Sequence, residues 1–276
     1  MGIVQVTTRP SYYAALEAEN RKKKPEPEPE IVLTGKLSIR MEIGGLRDRL
    51  MRIQQKRIEK VTSSALREKG VYTREYNSGD DLGYYSWNGL MLHQNEIYTE
   101  AFPISEITRF EALMKAFDLE GWYPEVNVLT YYPDGGDLST VLNLMNILES
   151  RRPLIEQALS LKEPMMIIVN QGLALGISLS VFSYPVIEAA AFLIAQASKM
   201  ALTTGKARMK PCDMSNPKYQ MRTWLLRLGF IGDGFERPRK TLLEGLDGDT
   251  AFFNEEQKQV AVAKRKAKKL NAPQTA

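Results

Sequence analysis

A run of 24 residues without a charged side chain, from Pro164 to Ile187, constrains the fold of this chain more than any other feature. Because the run is apolar on all sides, it predicts a helix from Met166 to Val181 that is buried on every face. Proline begins a helix more readily than it continues one, so Tyr184-Pro185 marks a break. A second helix is predicted after the break, with a one-sided apolar stripe formed by Val186, Ala190, Leu193, Ala197 and Met200.

The same run is long enough to cross a bilayer, which makes a membrane span the competing interpretation. It stands alone in the chain and has no basic residue on either immediate flank. It also contains two glycines and several polar residues, which are Asn170, Gln171, Ser178, Ser180 and Ser183. We therefore predict a buried central helix and no membrane span.

The composition of the chain supports a folded core and argues against several kinds of chemistry. Of 276 residues, 43% are hydrophobic, which is enough for a sizeable core. The single cysteine, Cys212, excludes an internal disulfide and fits a reducing compartment. One cysteine and one histidine, His93, cannot form a zinc site of the usual kind or a recognisable nucleophile signature. We predict no catalytic residue, no metal site and no cofactor.

Helical spacing of apolar residues dominates the rest of the sequence, in segments 46–69, 105–118, 138–150 and 215–228. Residues 31–43 alternate apolar and polar side chains, which is typical of a strand. Residues 71–95 mix turn formers with aromatics and predict loops. Residues 121–137 predict a linker with two proline turns and a short extended piece between them. The predicted fold is mainly α: a single helical core domain over residues 31–250, with minor β content near residues 31–43. A flexible N-terminal arm, residues 1–30, precedes it, and a C-terminal helix with a basic tail, residues 251–276, follows it.

The predicted arm ends in the sequence RKKKPEPEPE, residues 21–30. Alternating proline and glutamate cannot propagate a helix and offers little surface to bury. The arm also carries apolar side chains that could dock on a neighbouring copy, so we predict oligomerisation through Tyr12, Tyr13 and Leu16. A solvated tail is the alternative.

Basic residues are concentrated in two parts of the predicted core. Arg49, Arg52 and Lys56 follow a three-and-four spacing and form a stripe, which is either a solvated helix face or a phosphate-facing one. Between residues 206 and 240, nine basic residues stand against three acidic ones, the strongest polyanion signal in the core. We predict RNA contacts from the stripe and from Lys206, Arg208, Lys210, Lys218, Arg222 and Arg227.

In its layout of arm, helical core, basic segment and tail, the chain resembles the nucleocapsid and coat proteins of RNA viruses that assemble as flexible helical filaments. These include the coat proteins of filamentous plant viruses and the nucleoproteins of bunyavirus-like viruses. The segment MRTWLLRLGFIG, residues 221–232, is similar to the terminal core helix of some such nucleoproteins. The resemblance implies a non-enzymatic protein that coats single-stranded RNA without sequence specificity and self-assembles into a helical filament. It also implies a location in the virion and the host cytoplasm.

Two other classes of function remain open at this point. The first is a metal-dependent nucleic-acid enzyme, whose metal ligands would be Asp80, Asp81, Asp247 and Asp249. These four aspartates lack a paired motif of known spacing. A membrane-associated interaction protein would insert a helix over residues 165–184.

Overall fold

Nine antiparallel strands form one continuous sheet in the computed structural model. The structure describes residues 33–46, 51–77, 80–135, 137–170, 174–181, 183–252 and 255–270. The strands are β1 (Lys36–Gly44), β2 (Val71–Asn77), β3 (Asp80–Trp87), β4 (Leu90–His93), β5 (Glu96–Thr99), β6 (Phe102–Pro103), β7 (Tyr123–Tyr132), β8 (Met166–Asn170) and β9 (Ala174–Val181). Their order across the sheet is β2-β3-β4-β5-β1-β7-β9-β8, and the short β6 also pairs with β1.

The helices of the described chain lie between and after these strands. They are α1 (Met51–Leu66), α2 (Arg109–Leu119), α3 (Leu138–Glu149), α4 (Arg152–Ala158), α5 (Tyr184–Thr203), α6 (Pro217–Arg227), α7 (Glu236–Glu244) and α8 (Glu255–Leu270). Short 3₁₀ turns cover Ile104–Glu106 and Asp233–Phe235.

One face of the sheet carries the core. In β1, side chains alternate between buried Leu37, Ile39, Met41 and Ile43 and more exposed residues such as Arg40. Helices cover the buried face: α1 contacts β4, α2 and α5 contact β7, and α3 contacts β8 and β9. The other face, which we call the open face, shows Ser38, Arg40 and Glu42 of β1. The alternation in β1 therefore follows from having helices on one side only.

The prediction of a mainly α fold is wrong, because a large antiparallel sheet forms the core alongside the helices. The predicted buried helix from Met166 to Val181 is instead the strand pair β8 and β9. A continuous apolar run fits a buried strand as well as a buried helix. Here β-branched residues favour the strand, as in Ile167 and Ile168, and β9 buries small residues such as Gly176 on its second face.

The sheet extends beyond the predicted minor β content near residues 31–43, where β1 lies. Residues 71–95 are predicted to be loop-rich but form most of β2 to β5, which extend to Thr99. The predicted linker at 121–137 contains the ten-residue strand β7. Helices α1, α3 and α6 lie within the segments where helical spacing predicts them, and α2 overlaps its predicted segment, 105–118, but ends one residue later.

Helix α5 lies at the centre of the helical layer, in contact with α3, α7 and α2. It is buried almost all round, including Ile187, Ala191 and Ala195, so its burial is wider than the predicted stripe. By length and composition it is the one helix of the described chain that could cross a membrane, but 67% of its most apolar window is buried inside the protein. The helix over residues 165–184 that a membrane-inserting function requires is not formed, because those residues build β8 and β9.

The predicted arm, residues 1–30, lies outside the described residues, and so do Tyr12, Tyr13 and Leu16. The predicted division into arm, core and C-terminal segment therefore stays a prediction.

Candidate nucleic-acid interface

The segment 204–214, between α5 and α6, has no regular secondary structure but is held along α3 by hydrogen bonds. The Asn143 side chain donates to the Thr204 carbonyl at 2.7 Å and accepts from the Ala207 backbone N–H at 2.9 Å. At the end of α3, the Ser150 carbonyl accepts from the Cys212 backbone N–H at 3.1 Å. The segment therefore follows the helix from Asn143 to Ser150, a rise of about 10 Å. We call residues 204–214 the basic loop.

Three cations of the basic loop point away from the protein. Lys206, Arg208 and Lys210 are exposed, whereas Ala207 and Cys212 are partly buried against α3. Asn143, which holds the loop, is itself buried. Loop and helix thus present three of the predicted RNA-contacting side chains on one surface.

Two further arginines extend this surface. Arg151 follows Ser150, to which the end of the basic loop is bonded, and its guanidinium lies 6.0 Å from the centre of the Trp224 ring on α6. Arg227 is exposed and lies about one turn after Trp224 on the same helix. We define the basic strip as Lys206, Arg208, Lys210, Arg151 and Arg227.

Arg151 lies outside the predicted set of RNA-contacting residues. A cation after the last turn of a helix complements the helix dipole, and this accounts for its presence in the sequence without a ligand. Its contact with Trp224 joins α3 to α6, which are about 70 residues apart in sequence. Only the tertiary structure places it between the basic loop and Arg227.

Lys218 and Arg222 lie on a different flank of α6. At about 100° per residue, they are about 40° apart, while Arg222 and Arg227 are about 140° apart. Arg222 donates weakly to the Thr250 carbonyl at 3.5 Å, and the Lys218 backbone N–H donates to the Asp247 carbonyl at 3.2 Å. Six RNA-contacting residues were predicted between residues 206 and 227. Four of them lie in the basic strip, and the other two, Lys218 and Arg222, lie beside the acidic turn near Asp247.

Lys56, the one residue of the predicted basic stripe with a described side chain, lies elsewhere on the protein. Arg49 and the side chain of Arg52 lie outside the described part of the chain, and Lys56 is exposed on α1. Helix α1 contacts β4, whereas α3 contacts β9, four strand spacings away, or roughly 19 Å. Lys56 is thus remote from the basic strip.

Of the four aspartates of the enzyme alternative, only Asp247 and Asp249 have side chains in the described part of the structure. Asp80 and Asp81 begin β3, with side chains outside the described part, and Asp247 and Asp249 lie in the turn after α7. The backbone N–H of Ala251 lowers the pKa of Asp249, with a smaller contribution from Lys258. Within the residues described, no three His, Cys, Asp or Glu side chains come together as a metal site.

A buried charge network forms a second polar feature, at the junction of α5, α7 and α2. Glu188 on α5 is buried and accepts from Arg237 Nε at 2.7 Å, from a second Arg237 nitrogen, and from the Tyr184 hydroxyl at 3.2 Å. Arg237 also donates to Glu111, which pairs with Lys115 at 3.0 Å. A surface cleft of about 450 Å³ borders the network and is lined by residues including Trp122, Tyr123 and Pro185.

The electrostatics of this network follow from its contacts. The hydrogen bond with Glu188 raises the pKa of Arg237, and burial raises the pKa of Tyr184, with a further contribution from the Glu188 charge. The hydrogen bond from Lys115 lowers the pKa of Glu111. The network was not predicted from the sequence, because its central member, Glu188, is a single carboxylate within an apolar helix. A lone carboxylate among apolar residues does indicate that a buried partner must neutralise it.

The side chain of Asn143 attaches the basic loop to α3, and the rate of proteolysis within the loop tests this attachment. Asn143→Ala removes both of its hydrogen bonds to the loop, so trypsin should cleave after Lys206 and Arg208 several times faster than in the unaltered chain. Asn146→Ala is the matched control, because Asn146 makes one longer bond, 3.4 Å, to the Ala207 carbonyl. Mass spectrometry of early digests measures the cleavage sites. Equal cleavage rates in the Asn143→Ala and unaltered proteins would contradict the attachment.

The chain matches no protein-family model and no curated protein sequence at significant similarity.

Proposed function

We propose that this protein binds single-stranded RNA without sequence preference through the basic strip, and that its role is to coat the RNA. The observation that carries the proposal is the attachment of the basic loop to α3, which presents Lys206, Arg208 and Lys210 on one exposed surface. Arg151 and Arg227 extend that surface. Several cations in a row match a phosphate backbone, whose charges repeat along the strand.

The lack of sequence preference follows from the chemistry of the strip. Its functional groups are ammonium and guanidinium ions, which contact phosphates and position a nucleic acid without reading its bases. The nearby aromatic side chain, Trp224, is buried beneath Arg151 and offers no exposed face for base stacking. Binding of this kind is dominated by counterion release.

Coating and filament formation belong to the same proposal. Copies along the RNA would be joined through residues 1–30, with Tyr12, Tyr13 and Leu16 docking on the neighbouring subunit. The proposed role is structural and not catalytic, and it would place the protein in a virion and in the cytoplasm of its host. The proposal rests on the basic strip and no longer on a helical core, since the core contains a large sheet.

The salt dependence of RNA binding tests the proposal. Each phosphate contact with a single strand contributes about 0.7 to the slope of log K against log salt, so Lys206→Gln/Arg208→Gln/Lys210→Gln should reduce its magnitude by about 2. The measurement is fluorescence anisotropy with labelled oligouridylate and with a labelled mixed-sequence RNA. The salt concentration is varied from about 50 to about 300 mM, a range in which such slopes can be resolved.

The matched control removes the same charge from exposed positions elsewhere, as Lys36→Gln/Lys69→Gln/Lys240→Gln. Its slope should stay close to that of the unaltered protein. If both triple variants lose slope equally, the binding is diffuse and the strip is not the site. If the unaltered protein binds neither RNA, the proposed function fails altogether.

A further inference from the structure

Strand β8 forms one edge of the sheet, with β9 on its inner side. Within the described residues, no strand lies on its outer side, and the opposite edge of the sheet is β2. The backbone groups that point outward from an edge strand are available to pair with another chain.

The sequence of β8, Met166–Asn170, lacks the features that usually prevent such pairing. It has no charged residue and no proline, and its register with β9 runs without a bulge. The opposite edge differs, because β2 carries the charged residue Arg74. Charge therefore protects one edge of the sheet and leaves the other unprotected.

Two apolar side chains of β8 are also exposed on the open face. Met166 is 57% exposed and Ile168 is 53% exposed. Their partners on β9 are Ser178 and Gly176, which are too small to cover them. Ile167 and Val169 point to the helical side, opposite Ile177 and Leu175. The edge thus offers both unpaired backbone and uncovered apolar surface.

We propose that β8 pairs with β8 of a second copy of this chain, antiparallel, about a two-fold axis at Ile168. In this register Ile168 faces Ile168 of the second copy, Ile167 faces Val169, and Met166 faces Asn170. An uncharged strand is complementary to itself, whereas pairing with β2 of the second copy would set Arg74 against apolar residues. The contact is isologous and closes as a dimer.

This dimer does not depend on the proposed RNA binding. The basic loop lies along α3 on the helical side of the sheet, while Met166 and Ile168 lie on the open face. A failure of either proposal would leave the other standing.

Sedimentation velocity of the full-length protein without nucleic acid tests the pairing. The unaltered chain should sediment as a dimer, and Ile168→Lys should sediment as a monomer because two ammonium groups would face each other across the axis. Val71→Lys on β2 is the matched control, since Val71 is 62% exposed on the opposite edge, and it should remain dimeric. A monomeric unaltered chain would overturn the proposal, and so would a dimer lost in Val71→Lys but kept in Ile168→Lys.

A disulfide experiment tests the register without altering the charge. In a Cys212→Ser background, Ile168→Cys should form a covalent dimer under mild oxidation, because side chains directly opposite in an antiparallel pair lie within about 5 Å at Cβ. Met166→Cys should not, because its partner is Asn170 of the second copy. Non-reducing electrophoresis distinguishes the two, and absence of the Ile168→Cys dimer would refute the two-fold pairing.

Discussion

A Leu175→Asp chain is expected to lose its folded sheet and to accumulate as insoluble protein. Leu175 is fully buried in β9, between Tyr131 on β7 and Val169 on β8. A carboxylate at this position would lose its hydration and gain no cationic partner, a penalty of several kcal/mol. The total stability of a domain is only about 5–15 kcal/mol, so one such change can remove most of it.

The soluble fraction after expression and the far-ultraviolet circular dichroism of any soluble protein measure this outcome. Val71→Asp on β2 is the control, because the same carboxylate there reaches solvent from an exposed position at the other edge of the sheet. It should stay soluble and unfold cooperatively. A soluble Leu175→Asp protein with a cooperative transition would show that the centre of the sheet is not packed as described.

Replacing Arg237 with alanine should lower the free energy of unfolding by about 3 kcal/mol, the lower end of the range for breaking a buried ion pair. The destabilisation arises because Glu188 is 4% exposed and would remain charged without its guanidinium partner. Within this network, its carboxylate would then accept a hydrogen bond only from the Tyr184 hydroxyl. The lower end applies because the Arg237 side chain is 46% exposed and water can reach the vacated position.

Urea denaturation of the single and double variants separates the lost pair from the stranded charge. Glu188→Gln/Arg237→Ala should be more stable than Arg237→Ala alone, because a neutral amide is less costly to bury than a carboxylate. Lys240→Ala, an exposed position on the same helix, should change stability by less than about 0.5 kcal/mol. A double variant no more stable than the single one would mean that Glu188 is hydrated, contrary to its burial.

Strands could be predicted from this sequence only where one face of the sheet meets solvent. β1 shows strict alternation because helices cover one side and its other side is open. β9 alternates only from Ile177 to Val181, since its first four residues, Ala174 to Ile177, are all buried. A strand buried on both faces has the same apolar signature as a buried helix, so the sequence supports both interpretations.

The full length of strand β7 was not predicted from the sequence for a different reason. Its buried residues are Pro124, Val126, Leu129 and Tyr131, so the alternation slips by one residue between Val126 and Leu129. The register with β9 shifts at the same place, between Val126 and Val128. A bulge of this kind breaks the period of two on which sequence analysis depends. The sequence therefore predicts only a short extended piece within a linker where the ten-residue strand lies.

The candidate interface could be predicted in part. The alternating cations Lys206, Arg208 and Lys210 are visible in the sequence, and the structure places all three at the surface. Helical phase alone could also have separated Arg227 from Lys218 and Arg222. The attachment by Asn143 and the position of Arg151 depend on contacts between distant segments, and no local pattern encodes such contacts.

The pairing of β1 with β7 sets the order of events when the chain is made. Ile39 of β1 pairs with Leu129 of β7, roughly 90 residues later in the chain. Strand β1 therefore cannot pair on that side until β7 has been synthesised. At about 5–20 residues per second, a ribosome takes about 5–18 s to cover that interval. The neighbours on the other side, β2 to β5, are complete earlier and can pair with one another and with β1 first. The apolar row of Leu37, Ile39, Met41 and Ile43 therefore stays incompletely covered on the nascent chain until the second half of the sheet arrives.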